Sequence, residues 1–169
     1  RSDDPADGAP FPAAHRLAST TPGMNRLALE QQRRNRQSRD AWDLLANHRR
    51  HVTQILLQAA SAASQRVCIL GSGNCNDLEL PLLAQTFHEV HLVDLDQESL
   101  QAGIVRQFPA PVPQIRAHPG IDVTHALALL AAATSTPTAA SALDAWFAEL
   151  AQTPDLGLPG PFEVVASCC

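Results

Sequence analysis

Chemistry concentrates in one short stretch of the chain, Gly71-Ser72-Gly73-Asn74-Cys75-Asn76-Asp77. An apolar run precedes it (Arg66–Leu70, RVCIL) and a helical pattern follows. Two glycines one residue apart let the backbone turn tightly where a ligand must approach, and the turn aims amide N–H groups at that ligand. A second apolar run, Glu89–Asp94 (EVHLVD), ends in a carboxylate 21 residues beyond Gly73. That is close to the spacing of about 20 residues at which an acid on the neighbouring strand meets ribose hydroxyls.

Charge narrows the ligand. A diphosphate over the turn wants a small third residue at position 76 and no carboxylate beside it. The sequence has Asn76 and Asp77 instead. A carboxylate there repels a diphosphate but suits a ligand carrying an ammonium and a sulfonium, which shifts the expectation from a nicotinamide dinucleotide to S-adenosylmethionine. Other chemistries lack their residues. There is no GxSxG serine elbow, and a chain without lysine has no phosphate-loop lysine. His48/His51 and His88/His91 are spaced three apart without a third ligand cluster, and read as surface or packing histidines. Cys68, Cys75, Cys168 and Cys169 show no CxxC spacing, and adjacent Cys168 and Cys169 cannot easily bridge each other.

The elements that must position these residues follow from periodicity. Residues 1–23 are rich in Pro, Ala, Gly and Asp and read as a flexible segment. Residues 24–65 read as a helical extension, with Trp42, Leu45, Val52 and Leu56 at helical spacing. Seven arginines between Arg26 and Arg50 face only three acids, which reads as a solvated helix face rather than an RNA platform. From Arg66 onward strands alternate with helices: strands at 66–70, 89–94, 114–117 and 162–167, helices at 77–87, 97–107, 122–133 and 141–152. Such alternation predicts an α/β fold, a doubly wound and mainly parallel sheet with helices on both faces.

The sequences VCILGSGNCNDLEL and VHLVDLDQESL resemble motifs I and II of class I S-adenosylmethionine-dependent methyltransferases, over roughly residues 66–169. The resemblance implies that the loop from Gly71 through Ser72, Gly73 and Asn74 to Cys75 wraps the methionine part of the cofactor, with Asn76 and Asp77 adding polar contacts. It implies that Asp94, followed by Leu95, binds the ribose. In HPGIDVT, Asp122 would contact the adenine amino group and Ile121 the ring. FEVVASCC resembles the fourth strand, whose end at Ser167 would face the transferred methyl. The helix around Trp42 resembles the N-terminal helix that covers the cofactor. The chain departs from the family pattern at Ile69, where an acid is usual, and at Cys75, where a third glycine is usual. The family sheet has seven strands; only four are legible here, and the start at Arg1 and stop at Cys169 predict an N-terminal portion of a longer fold.

The expected activity is methyl transfer from S-adenosylmethionine to an unidentified acceptor, with no residue assignable as general base. Two other readings stand beside it: a dinucleotide-binding oxidoreductase domain, and a non-catalytic cofactor-binding or scaffold module that self-associates through the open edge of FEVV. Individual acids also have structural alternatives: Asp94 or Asp122 as a helix cap, Asp77 as a charge at a helix start. The 169 residues amount to 18.1 kDa, about one domain, with 45% hydrophobic and 17% charged residues, a globular composition. A net charge of −5 argues against a globally basic nucleic-acid binder. No apolar run is long enough to span a bilayer, and the cysteine usage fits a reducing, cytoplasmic setting.

Overall fold

The computed structural model describes residues 22–61, 65–124 and 155–168, together with residues 127, 144, 145, 147–149 and 151. Four strands form one all-parallel sheet in the order β3-β2-β1-β4: β1 (Arg66–Leu70), β2 (Glu89–Asp94), β3 (Ile115–Pro119) and β4 (Val164–Ser167). Four helices accompany them: α1 (Pro22–Gln37), α2 (Ala46–Ala59), α3 (Leu80–Thr86) and α4 (Gln97–Gln107). The topology is Rossmann-like. Parallel strands need crossovers, and α3 and α4 supply those from β1 to β2 and from β2 to β3. Both crossovers step the same way along the sheet, so right-handed connections put both helices on one face. Contacts of α3 with α4 and with α2 agree with that placement.

Register fixes which side chains share this face. Val67 pairs with Val90 and Val164, and Ile69 with Leu92. These five form a cluster with Leu56, Leu78, Leu80, Leu83, Phe87 and Leu100 from the helical side. β1 and β2 are buried along most of their length, which explains their near-continuous apolar sequences. The opposite face carries Cys68, Leu70, His91, Val93, Arg116 and His118.

Several boundaries move for identifiable reasons. The helix expected from Asp77 begins at Leu80, because the preceding residues are used as loop. Its exposed amides are met from neighbours: Thr53 Oγ1 accepts from Glu79 N–H at 2.9 Å and Gln107 Oε1 from Leu80 N–H at 2.9 Å. Pro81 sits in the first turn, where it has no amide to waste. The helix 97–107 occurs as expected, started by Asp96, whose carboxylate accepts from Ser99 N–H.

The single helix expected across 24–64 is two helices. Turns fill 38–45, and the carbonyls of Ser38, Arg39 and Trp42 accept hydrogen bonds from Asn76, Arg106 and Arg49 instead of continuing a helical ladder. Residues 62–64 lie outside the described set. So do residues 1–21 and Cys169 and, apart from isolated positions, the helices expected over 122–133 and 141–152. Among the described residues no helix is long and apolar enough to cross a membrane.

Candidate functional site

The site is built at the carboxyl edge of β1 and β2. After Leu70 the chain reverses through Gly71 (φ 72°) and Gly73 (φ 46°), both left-handed, where a Cβ is strained. The amides of Gly71 and Ser72 both reach Val93 O, at 2.9 and 3.1 Å, and Ser72 Oγ donates to Ile69 O at 2.9 Å. The turn is thereby tied to the ends of both strands. Cys75 takes φ 52°, a left-handed conformation that only a small share of non-glycine residues adopt. The position where the sequence replaces an expected third glycine is therefore still glycine-like in its backbone.

Asp94 completes the junction. One carboxylate oxygen accepts from Gly73 N–H at 2.6 Å and the other from Asp96 N–H at 2.7 Å, and the residue is 5% exposed. Burial pushes its pKa above the ordinary carboxylate value, against the opposing pull of the Asp96 and Gly73 amides. Ile121 joins the same edge, its N–H reaching Asp94 O at 3.3 Å, and half-buried Leu95 follows Asp94 directly. Asp122 is adjacent in sequence but turned to another task. Its two oxygens accept from Thr124 N–H and Oγ1 and from Leu127 N–H, the pattern of a cap. Ser167 ends β4 level with Leu70, exposed at the same edge.

Over the glycine loop lies the 35–49 segment. Asn74 Nδ2 donates to Asn35 O at 2.5 Å and to Ser38 Oγ at 3.2 Å, and Asn76 Nδ2 donates to Ser38 O at 2.6 Å. Arg106 binds Asn76 Oδ1 at 2.5 Å and Arg39 O at 2.7 Å. Arg49, buried, reaches the carbonyls of Trp42 and Asn76, and its guanidinium lies 3.5 Å from the Trp42 ring centroid. Beneath the loop, Gly103 of α4 allows close approach: a Cβ there would stand 2.4 Å from Asn74 O. These contributors (Asn35, Ser38, Arg49, Gly103 and Arg106) were not among the residues expected from sequence. Only Gly103 carries a signal, a lone glycine inside a helical pattern.

Between strap and loop is a cleft of about 230 Å³, lined by Ser38, Leu45, His48, Gly71, Ser72, Gly73, Asn74, Asn76 and Asp77. Its lining includes a carboxylate and no arginine. Asn74 Oδ1 is buried without a hydrogen-bond partner, an acceptor left for a donor to satisfy. Acceptors without guanidinium groups fit a cationic ligand end better than a diphosphate. The thiol of Cys75 is fully buried and pushed far up, first by burial and then by the charges of Asp77 and Asp94, so it is no nucleophile. Among the described residues no group of three or more His, Cys, Asp or Glu gathers to hold a metal.

Comparisons with protein-family models, with curated proteins and with solved structures find no match to this chain.

Proposed function

We propose that this chain binds S-adenosylmethionine across the carboxyl edge of β1 and β2 and belongs to an S-adenosylmethionine-dependent methyltransferase acting on an acceptor not yet identified. One observation carries the reading. The acid ending β2, Asp94, is held 2.6 Å from the amide of Gly73, so the glycine turn and the ribose-binding candidate form one junction. The cleft beside it supports the same ligand, with Asp77 and Asn74 as acceptors for an ammonium. A volume of about 230 Å³ is below the ~300–1,000 Å³ typical of ligand pockets, so the cleft takes one end of the cofactor. The remainder lies along Asp94, Leu95 and Ile121. Asp122 contributes by fixing the turn after Ile121 rather than through a free carboxylate.

When bound, the cofactor supplies a methyl group activated on a sulfonium. The chain's own contribution is placement. The left-handed turn lets the backbone approach, Asp94 orients the hydroxyl-bearing part, and the strap excludes water from the methionine end. Ser167, at the end of β4, faces the edge where an acceptor would enter.

Calorimetric titration with S-adenosylmethionine, S-adenosylhomocysteine and NAD tests this. Micromolar binding of both adenosyl ligands and none of NAD is expected, weakened at least tenfold in a folded Asp94→Asn variant. NAD binding alone would point instead to the dinucleotide-binding oxidoreductase reading. No binding of any of the three by a folded chain favours a scaffold module. That second reading has its own support: Asn74 and Asn76 are already engaged by the strap, and among the described strands β4 is at an end of the sheet, with Val165 59% exposed. Concentration-dependent dimerisation in sedimentation experiments would then be expected.

A further inference from the structure

On the sheet face away from α3 and α4, His91 and His118 join β2 to β3 through their side chains. His91 Nδ1 and His118 Nε2 are 2.9 Å apart, the ring centroids 5.1 Å apart and the planes inclined by 8°. With centroids that distant and nitrogens that close, the rings meet edge to edge in nearly one plane. This is an N–H···N hydrogen bond rather than a face-to-face stack.

The surroundings fix its polarity. Glu89 Oε2 lies 3.2 Å from His91 Nε2, and Glu89 is held ionised, its pKa lowered by His91 and then by Arg66 at 2.7 Å. A carboxylate only accepts, so Nε2 of His91 carries its hydrogen and Nδ1 offers a lone pair to His118 Nε2–H. The groups facing the pair are known element by element among the described residues. β2 supplies Glu89; β1 supplies Arg66 and the buried thiol of Cys68, level with His91. β3 supplies Arg116, 3.8 Å from Glu89, and Phe162 lies edge-on to His91.

Such a bond responds asymmetrically to protons. A first added proton goes to His118 Nδ1, outside the bond, and strengthens the donor. A second must go to His91 Nδ1, setting two N–H groups against each other and two charges in contact. Burial already holds both imidazoles below their ordinary value, so at neutral pH the pair is uncharged. What the bond restrains matters, because β3 is an end strand among the described strands. Gly120 and Ile121 follow two and three residues beyond His118, and Ile121 N–H is bonded to Asp94 O.

We propose that the His91–His118 bond is an acid-sensitive latch on β3: it withstands one added proton, is broken by a second, and on breaking frees the Ile121 turn from the Asp94 edge. Its effect on ligand binding rests on the function proposed above; the latch itself does not.

Amide exchange followed by NMR on the full chain tests it at two pH values, about pH 7.5 and one below the second titration step of the pair, which the imidazole C2–H signals locate. The Ile121 amide is the reporter. Its protection factor falls about tenfold on acidification, the scale of one lost hydrogen bond. In His118→Gln, whose side-chain amide donates to His91 Nδ1 without titrating, it stays constant. An unchanged protection factor in the parent chain, or an equal fall in His118→Gln, overturns the latch. Should that variant not fold, the imidazole C2–H signals of the parent decide. Two mutually displaced titration steps support a shared bond; two independent single steps near the ordinary value overturn it. S-adenosylmethionine affinity measured at the same two pH values separates the claims. Binding that weakens with Ile121 protection supports the coupling. No binding at either pH, with the exchange result intact, defeats the proposed ligand and leaves the latch standing.

Discussion

The glycine loop is held from below and from above by different forces. Below it, Cys75 and Leu78 belong to an aliphatic cluster with Leu80, Leu83, Leu92 and Leu100, all nearly or fully buried. Above it, the 35–49 strap is fastened by amides, guanidinium groups and carbonyls, while Leu29 and Leu44 on either side of its start are exposed. Apolar burial is non-directional and sums over a whole element. A polar clamp adds little net energy per bond, yet each bond demands one geometry. The core therefore sets whether the fold exists, and the strap sets whether the cleft is open or covered.

The largest way to break this contrast is in the core. Leu92→Ala leaves a cavity where a fully buried β2 side chain stood and is expected to cost about 3 kcal/mol in denaturant unfolding, with the strap melting together with the sheet. Gly103→Ala comes next, at about 2 kcal/mol or more. Its Cβ meets the backbone of Asn74 at 2.4 Å, and backbone has no rotamer by which to yield. Gly103→Ala thus strikes both regions, since moving Asn74 also pulls on Asn35 and Ser38. A thermal shift no larger than that of a surface helix substitution would show that α4 does not need its close approach.

How far these regions were legible in sequence follows the same division. β1, β2 and α4 stand where periodicity places them, because burial imposes a period and a period can be read. Gly71, Gly73 and Asp94 meet as spacing and resemblance implied, since a strand–turn–helix unit fixes them locally. The break at 38–45 was invisible: no Pro or Gly marks it, and two of the three donors behind it are distant in sequence, Asn76 38 residues from Ser38 and Arg106 67 from Arg39, while Arg49 reaches Trp42 O across seven. Asp122 shows the remaining limit. Adenine contact and helix capping demand the same residue type at the same place, and only geometry shows its carboxylate turned to Thr124 and Leu127.

Asp96 joins the two regions and gives the next effect. Its carboxylate accepts from Ser99 N–H and Oγ at the start of α4 and from Asn35 Nδ2 of α1, at 3.1 Å. Asp96→Ala is expected to cost about 2 kcal/mol, at the upper end for a cap because the site is buried. The pH dependence has a defined sign. Burial alone would raise this pKa, but the bonds from Ser99 and Asn35 outweigh it and hold the group below its ordinary value. A depressed carboxylate stabilises the fold above the unfolded value of about 3.9 and loses that contribution as pH falls through the folded value. Unfolding midpoints of the parent chain should therefore drop below about pH 4. Asp96→Asn should lack that portion of the drop.

In the strap itself, Asn76→Ala removes the bonds to Ser38 O and Arg106 and should cost about 1 kcal/mol globally. Its clearer signature is local: limited proteolysis between Ser38 and Leu45 should quicken several-fold more than cleavage elsewhere in the chain. Equal cleavage rates in parent and variant would mean that other contacts hold the strap.

The smallest effect is the sharpest, because its order is inverted. Truncating a buried side chain normally costs more the further it goes, so Ala is milder than Gly. Cys75 stands at φ 52°, where a Cβ is strained by roughly 1–2 kcal/mol, and its Cβ also faces Gly103 at the closest contact of α4 with the loop. Cys75→Ala keeps that strain and loses the sulfur from the core. Cys75→Gly loses the same sulfur and one carbon more, but relieves the strain. Cys75→Gly should therefore be the more stable of the two by about 1 kcal/mol or less, read as the difference in their denaturant midpoints at equal slope. The opposite order would mean that packing against the aliphatic cluster, not backbone conformation, fixes the residue at this turn.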